Sequence, residues 1–266
     1  MAHMDCSFYS ESLLRNVHVI VYLPSLSADD MLEEKETDYL KPEKRFPSMI
    51  LLHGMYGDCL DWPLKSGIEE YAQEKGIAVI MPSAENSFYL DMKHGENYLR
   101  YIGEELPQFM EKMFPLSEKR EDRTIAGLSM GGDGAFRIGL EYPERFGRIA
   151  SLSGALMPHL FLNADAAHIR HLPASYRRSI TDDPAKMAGT NDDLFFLAKK
   201  LKATEKALLP EMYMTVGTED FIFPLNEKFY EEMSSLGFAV TYEKYPGEHN
   251  WTFWDAHIQD VLAWIG

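Results

Sequence analysis

The chain is poor in cysteine and in basic residues, and it has no long apolar run. Cys6 and Cys59 are the only cysteines among 266 residues. They are too few and too scattered for a disulfide framework or a zinc site, and the usage fits a reducing cytoplasm. No stretch of about 18 apolar residues occurs, so no transmembrane helix is expected. The opening "MAHMDCSFYS" lacks the apolar segment of a secretory signal, and residues 1–3 read as a cloning remnant ahead of a native start at Met4. Lysine plus arginine number 26 against 42 aspartate plus glutamate, a formal charge of −16. A field of that sign repels phosphate backbones and anionic headgroups, which makes nucleic acid and membrane poor partners. Internal repeats and low-complexity tracts are absent as well.

What remains is a chain long enough for one large core. Residues 4–266 are expected to form a single domain. "NVHVIVYLP" (16–24) alternates and is rich in valine, which predicts a strand. "FPSMILLHG" (46–54), "IAVIMPSAE" (77–85), "RTIAGLS" (123–129), "RIASLSG" (148–154) and "EMYMTVGTED" (211–220) are short apolar runs, the pattern of strands buried on both faces. "FAVTYEKYPG" (238–247) reads as a last, more polar strand. Helical spacing fills the gaps at 64–75, 97–113, 132–142, 225–236 and 251–265, with Pro107 expected to kink the second. Strand–helix alternation of this kind predicts an α/β fold, a mostly parallel sheet with helices on both faces. Functional sites of such sheets lie outside the C-terminal ends of the strands. Residues 155–208 exceed an ordinary crossover. They read as a cap-like insertion over the site entrance, carrying His159, His168, Arg170, His171, Arg177 and Arg178.

"IAGLSMGGDGAF" (125–136) sets Ser129 between a buried strand and a helix start, in a G-x-S-x-G frame. A serine on so sharp a turn needs small neighbours two positions away, and Gly127 and Gly131 supply them. The following helix start offers free N–H groups to a developing oxyanion. The competing reading is a glycine-rich helix start with an incidental serine. A serine hydroxyl needs a base, and the order expected on this sheet is serine, acid, histidine. Only His249 and His257 lie late enough. His257 sits on the amphipathic last helix, where packing accounts for it, whereas His249 lies in the loop "YPGEHNWTFW". Glu219 and Asp220 both follow the strand at 211–217, and the shorter Asp220 is the better orienter of an imidazole. Met130 N–H and Met55 N–H, the latter in "LLHGMYGDCLDW", are the candidate oxyanion donors, with His53 bracing the loop. Cys59, with no base nearby, reads as a packing or rim residue. Trp62, Phe88, Tyr89 and Trp251 either line an acyl pocket or pack in the core; Trp62, Tyr89 and Trp251 are the candidates for substrate contact.

With these residues in place, the sequence resembles the esterase D group of α/β-hydrolases, most closely its tributyrin esterase branch. "LLHGMYGDCLDW", "VIMPSAENSFYLDMKHGENYLRYIGEELP", "KREDRTIAGLSMGGDGAF", "FGRIASLSGAL", "GTEDF" and "GEHNWTFWD" carry the resemblance. It implies an α/β-hydrolase fold and hydrolysis of short-chain carboxylic esters by a triad of Ser129, Asp220 and His249. It also implies oxyanion donors at Met55 and Met130, no cofactor or metal, and assembly into oligomers. Related activities in the group act on acetylated or feruloylated carbohydrates or S-formylglutathione, or transfer acyl chains. The "HGMYG" loop departs from the usual thioesterase form. A non-catalytic binding module on the same scaffold is the remaining alternative.

Overall fold

The computed structural model describes residues 1–34, 37–162, 173–204 and 208–266. Its core is one eight-stranded sheet in the order β1-β2-β4-β3-β5-β6-β7-β8. The strands are β1 (Ala2–Ser10), β2 (Arg15–Leu23), β3 (Ser48–Leu52), β4 (Ala78–Pro82), β5 (Arg123–Leu128), β6 (Arg148–Leu152), β7 (Glu211–Gly217) and β8 (Val240–Tyr245). β1 and β2 form an antiparallel hairpin, β2 joins β4 antiparallel, and every later pairing is parallel. β3, β4 and β5 are buried along their whole length, which accounts for the apolar runs at 49–52, 78–82 and 125–128.

Helices cover both faces. In chain order they are α1 (Ala28–Leu32), α2 (Asp61–Lys65), α3 (Ile68–Lys75), α4 (Tyr98–Arg100), α5 (Leu106–Met113), α6 (Met130–Glu141), α7 (Pro158–Leu162), α8 (Ala174–Ile180), α9 (Leu194–Thr204), α10 (Phe223–Ser235) and α11 (Trp251–Ile265). α5, α6, α9 and α10 bury Met110, Phe136, Leu197 and Phe229 in one layer of core, and α3 and α11 bury Ala72, Ile258 and Leu262 in the other. Between α4 and α5 the chain makes a π turn, Tyr101–Glu105. Pro107 has no N–H and its ring would press on the Gly103 carbonyl; the widened turn before it accommodates both defects without ending the helix. Among the described residues no helix is long and apolar enough to cross a membrane.

Two regions take places that the sequence did not show. Residues 1–3, whatever their origin, lie within the fold. Ala2 and His3 continue β1 opposite Leu23 and Tyr22, and His3 Nε2 and the chain's ammonium reach Glu69 at 2.7 and 3.4 Å. β1 escaped the sequence reading because it is an edge strand whose outward residues, His3, Asp5, Ser7 and Tyr9, are polar or aromatic. Met4, Cys6 and Phe8 face inward and pack on the core.

The insertion is the second such region. Its described part does not close over the strand ends: Leu162, Ile180, Met187, Leu194, Leu197 and Leu201 join the core layer beside α6 and α10. His168, Arg170 and His171 lie outside the described residues. The anchor is Arg137, fully buried on α6. Its guanidinium donates to Asp133 Oδ2 at 3.2–3.3 Å and to the carbonyls of Asn191 and Asp192 at 3.3 and 3.1 Å.

Burial pushes the Asp133 carboxyl from 3.8 up to about 6, against the pull of Arg137. Between those values the folded chain holds a proton that the unfolded chain has released. This group's contribution to stability is therefore fully present below about pH 4 and lost as pH rises through about 6. A difference of about two pH units corresponds to roughly 3 kcal/mol. Urea melts of Asp133→Asn across pH 4–7 should lack that part of the parent's slope; an identical slope would contradict it.

Candidate active site

Ser129 is the single residue between β5 and α6, with φ +52° and ψ −116°. A non-glycine residue holds such a backbone only when its surroundings over-determine it. Here the Ser129 N–H donates to the Leu152 carbonyl at 2.9 Å. The Ser129 carbonyl accepts from Gly132, Asp133 and Ala155 at 3.0, 3.3 and 2.9 Å. The flanking glycines are required by close approach. A Cβ on Gly127 would collide with the Gly131 carbonyl, and one on Gly131 would sit 2.7 Å from the Leu52 and His53 carbonyls. The start of α6 is thereby pressed against the end of β3.

Two further loops bring their side chains to this turn. His249, between β8 and α11, places Nε2 3.0 Å from Ser129 Oγ, and its Nδ1 lies 2.9 and 3.1 Å from the two oxygens of Asp220, which follows β7. An ionised carboxylate only accepts hydrogen bonds, so Nδ1 carries the proton and Nε2 is left with its lone pair toward the serine hydroxyl. The buried Asp220 also accepts from Ile222 N–H at 3.0 Å. Trp254 meets the imidazole edge-on at 4.9 Å and Phe221 lies 4.7 Å from it, which restricts its rotation. Of the two acids that follow β7, Asp220 is the one whose carboxylate reaches His249. Glu219 is exposed, and its carboxylate accepts from Gly247 N–H at 2.5 Å while its own N–H donates to the Gly247 carbonyl at 3.0 Å. It ties the acid loop to the histidine loop, and the Gly247 N–H holds its carboxyl below the ordinary glutamate value. His257 is bonded to Asp260 at 2.7 Å and stacked on Tyr245, away from Ser129.

The loop after β3 supplies the opposite wall. His53 Nε2 accepts from Ala84 N–H at 2.9 Å, so its Nδ1–H is the donor to the Gly54 carbonyl at 2.7 Å. Burial holds the His53 pKa below its usual value, keeping it in this neutral tautomer. C=O and N–H point in opposite directions in a trans peptide. A carbonyl of Gly54 turned toward His53 therefore turns Met55 N–H away from it. Met130 N–H begins α6, where first-turn donors lack helical partners.

A cavity of about 470 Å³ opens at these residues, with Phe88, Leu128, Ala155, Phe221, Trp251 and Trp254 on its apolar walls. Asp61 and Lys65 of α2 form an ion pair of 2.7 Å on the same wall, with Lys65 Nζ over the Trp251 ring. Of the three aromatic candidates only Trp251 reaches the cavity. Trp62 and Tyr89 are buried behind it. The Trp62 indole N–H donates to the Leu52 carbonyl at 3.1 Å, and the Tyr89 hydroxyl donates to the His53 carbonyl at 2.9 Å. Both brace the loop and neither touches the cleft. Phe221 and Trp254 were not singled out from sequence as lining residues, although they sit next to Asp220 and one helical turn beyond Trp251. Cys59 packs in the core with its thiol pushed up by burial, which suits a packing residue. His159, Arg177 and Arg178 do not line the cavity, and among the described residues no group of three or more metal-ligating side chains converges.

A mostly parallel sheet with a strained serine at the β5–α6 turn and a histidine in the last loop defines an α/β-hydrolase. The chain belongs to the Esterase family, which matches residues 10–265, and is a carboxylic ester hydrolase. It is 35% identical to an acetyl esterase of Caldicellulosiruptor saccharolyticus over 268 residues, covering 100% of this chain and 98% of the relative. It is 26% identical to an S-formylglutathione hydrolase of Paracoccus denitrificans, covering 85% of each chain. Among solved structures, the substrate-bound fluorophosphonate-binding serine hydrolase F of Staphylococcus aureus superposes with a TM-score of 0.86 at 27% identity, covering 99% of this chain and 98% of that one.

Proposed function

We propose that this esterase hydrolyses short-chain acyl esters, acetates foremost, of uncharged alcohols through a Ser129–His249–Asp220 relay. The observation that carries this reading is the unbroken contact from Asp220 through His249 to Ser129 Oγ, at 2.9 and 3.0 Å. Ser129 Oγ adds to the ester carbonyl as His249 Nε2 takes its proton. Met55 and Met130 N–H receive the oxyanion, and His249 returns the proton to the departing alcohol. Water, deprotonated by His249, then adds to the acyl-serine; collapse releases the carboxylic acid and restores Ser129. No metal or cofactor enters these steps.

Two features support the substrate class. One cavity of about 470 Å³ must take both acyl and alcohol portions, which favours a short acyl chain. Lys65, the cation on its wall, is committed to Asp61, so a carboxylate-bearing leaving group such as glutathione finds no unpaired cation among the described lining residues. The full-length match to an acetyl esterase agrees with both. With p-nitrophenyl esters from acetate to octanoate, kcat/KM should peak at acetate or butyrate and fall at least about tenfold by octanoate. A profile that rises to octanoate would exclude the short-chain assignment.

A further inference from the structure

The oxyanion loop is gripped from outside by the loop after β4, residues 83–90. Three successive peptide planes are pinned. The 53–54 carbonyl is held by the Tyr89 hydroxyl, the 54–55 carbonyl by His53 Nδ1–H, and the 55–56 N–H by Asn86 at 2.7 Å. A backbone N–H only donates, so the Asn86 atom in contact is Oδ1. The Asn86 N–H in turn donates to the hydroxyl of Tyr176 at 3.2 Å, and Tyr176 belongs to α8 of the insertion. Both loops hold unfavourable backbone: Tyr56, Glu85, Phe88 and Tyr89 have φ between +51° and +68°. Contacts are needed to keep such residues in place.

We propose that Asn86 is a positioning residue for the reaction: it fixes the peptide plane beyond Met55, and through Tyr176 the insertion contributes to the aim of the Met55 N–H. This deepens the function proposed above and rests on Met55 as an oxyanion donor. The described part of the insertion then acts on catalysis from beside the cleft, through the β4 loop. Asn86 touches no substrate; its effect is confined to the tetrahedral state, where the oxyanion meets Met55 N–H.

The test compares Asn86→Leu, Asn86→Asp and Tyr176→Phe with the wild type. Asn86→Leu is expected to lower kcat/KM on p-nitrophenyl acetate by about 10²-fold, as for a donor displaced by about an ångström. Its affinity for an alkylboronic acid, which forms a tetrahedral adduct on serine, should weaken by a similar factor. Asn86→Asp keeps the acceptor and should recover most of both losses. Tyr176→Phe should lose roughly three- to tenfold, because one indirect hydrogen bond is removed. Wild-type kcat/KM in Asn86→Leu would overturn the proposal. So would lost activity with unchanged boronate affinity, or an Asn86→Asp variant no better than Asn86→Leu. Full activity in Tyr176→Phe would overturn the insertion's part. Should Asn86→Leu fail to fold, Asn86→Ala reads the same quantities without overfilling the loop. The underlying reading is checked apart from this by fluorophosphonate labelling. A wild type unlabelled at Ser129 overturns the relay itself, whereas a labelled wild type beside a fully active Asn86→Leu overturns the positioning role alone.

Discussion

Ser129→Ala should fold like the parent and lose about 10⁵-fold or more of its turnover on p-nitrophenyl acetate. Both halves of that expectation come from one turn. The backbone of residue 129 is held by its own N–H and by three donors to its carbonyl, all independent of the side chain. The hydroxyl's contact is with His249, so its removal should change stability by no more than about 1 kcal/mol. Alanine and serine meet similar strain at φ +52°, so the exchange adds little backbone cost. Without Oγ no acyl-enzyme forms, and the remaining donors act only on direct attack by water. Turnover within tenfold of the parent, in a preparation free of wild-type protein, would remove Ser129 from the mechanism.

Asp220→Asn should cost about 10⁴-fold in kcat with little change in stability. An asparagine that keeps its oxygen on Ile222 N–H puts its NH₂ in the place of Oδ2, the carboxylate oxygen nearer His249 Nδ1. A donor in that place forces the proton onto Nε2, which then faces Ser129 as a donor and cannot accept its proton. Glu219→Gln is the matched comparison. The glutamine retains an oxygen for Gly247 N–H, so kcat should stay within about tenfold of the parent. Steady-state kinetics of the two variants side by side would decide the assignment, and a larger loss in Glu219→Gln would reverse it.

Which parts of this molecule were legible in the sequence follows from what each residue type must satisfy. The inner strands were readable because a strand covered on both faces tolerates few polar residues, and β3 through β6 are covered in this way. Ser129 was readable because two glycines are demanded by carbonyls at contact distance. His249 stood apart from His257 because a loop histidine has no packing role to explain it. Trp62 and Tyr89 misled because an aromatic that walls a cleft and one that braces the loop behind it have the same composition; only the hydrogen bonds to Leu52 and His53 tell them apart. β1 was hidden by its solvent-facing half. The insertion's place beside α6 depends on Arg137 reaching two carbonyls more than fifty residues away, a contact with no local signature. Asn86 was equally silent, since its partner is a backbone N–H thirty residues earlier.

One proposed step underlies the catalytic expectations: a serine hydroxyl at the sheet's edge made nucleophilic by an imidazole from the last loop. Treatment with a fluorophosphonate probe followed by peptide mapping reads it directly. The adduct should fall on Ser129 in the wild type, and labelling should slow by orders of magnitude in His249→Ala. An adduct on any other residue, or labelling that proceeds undiminished without His249, would contradict it.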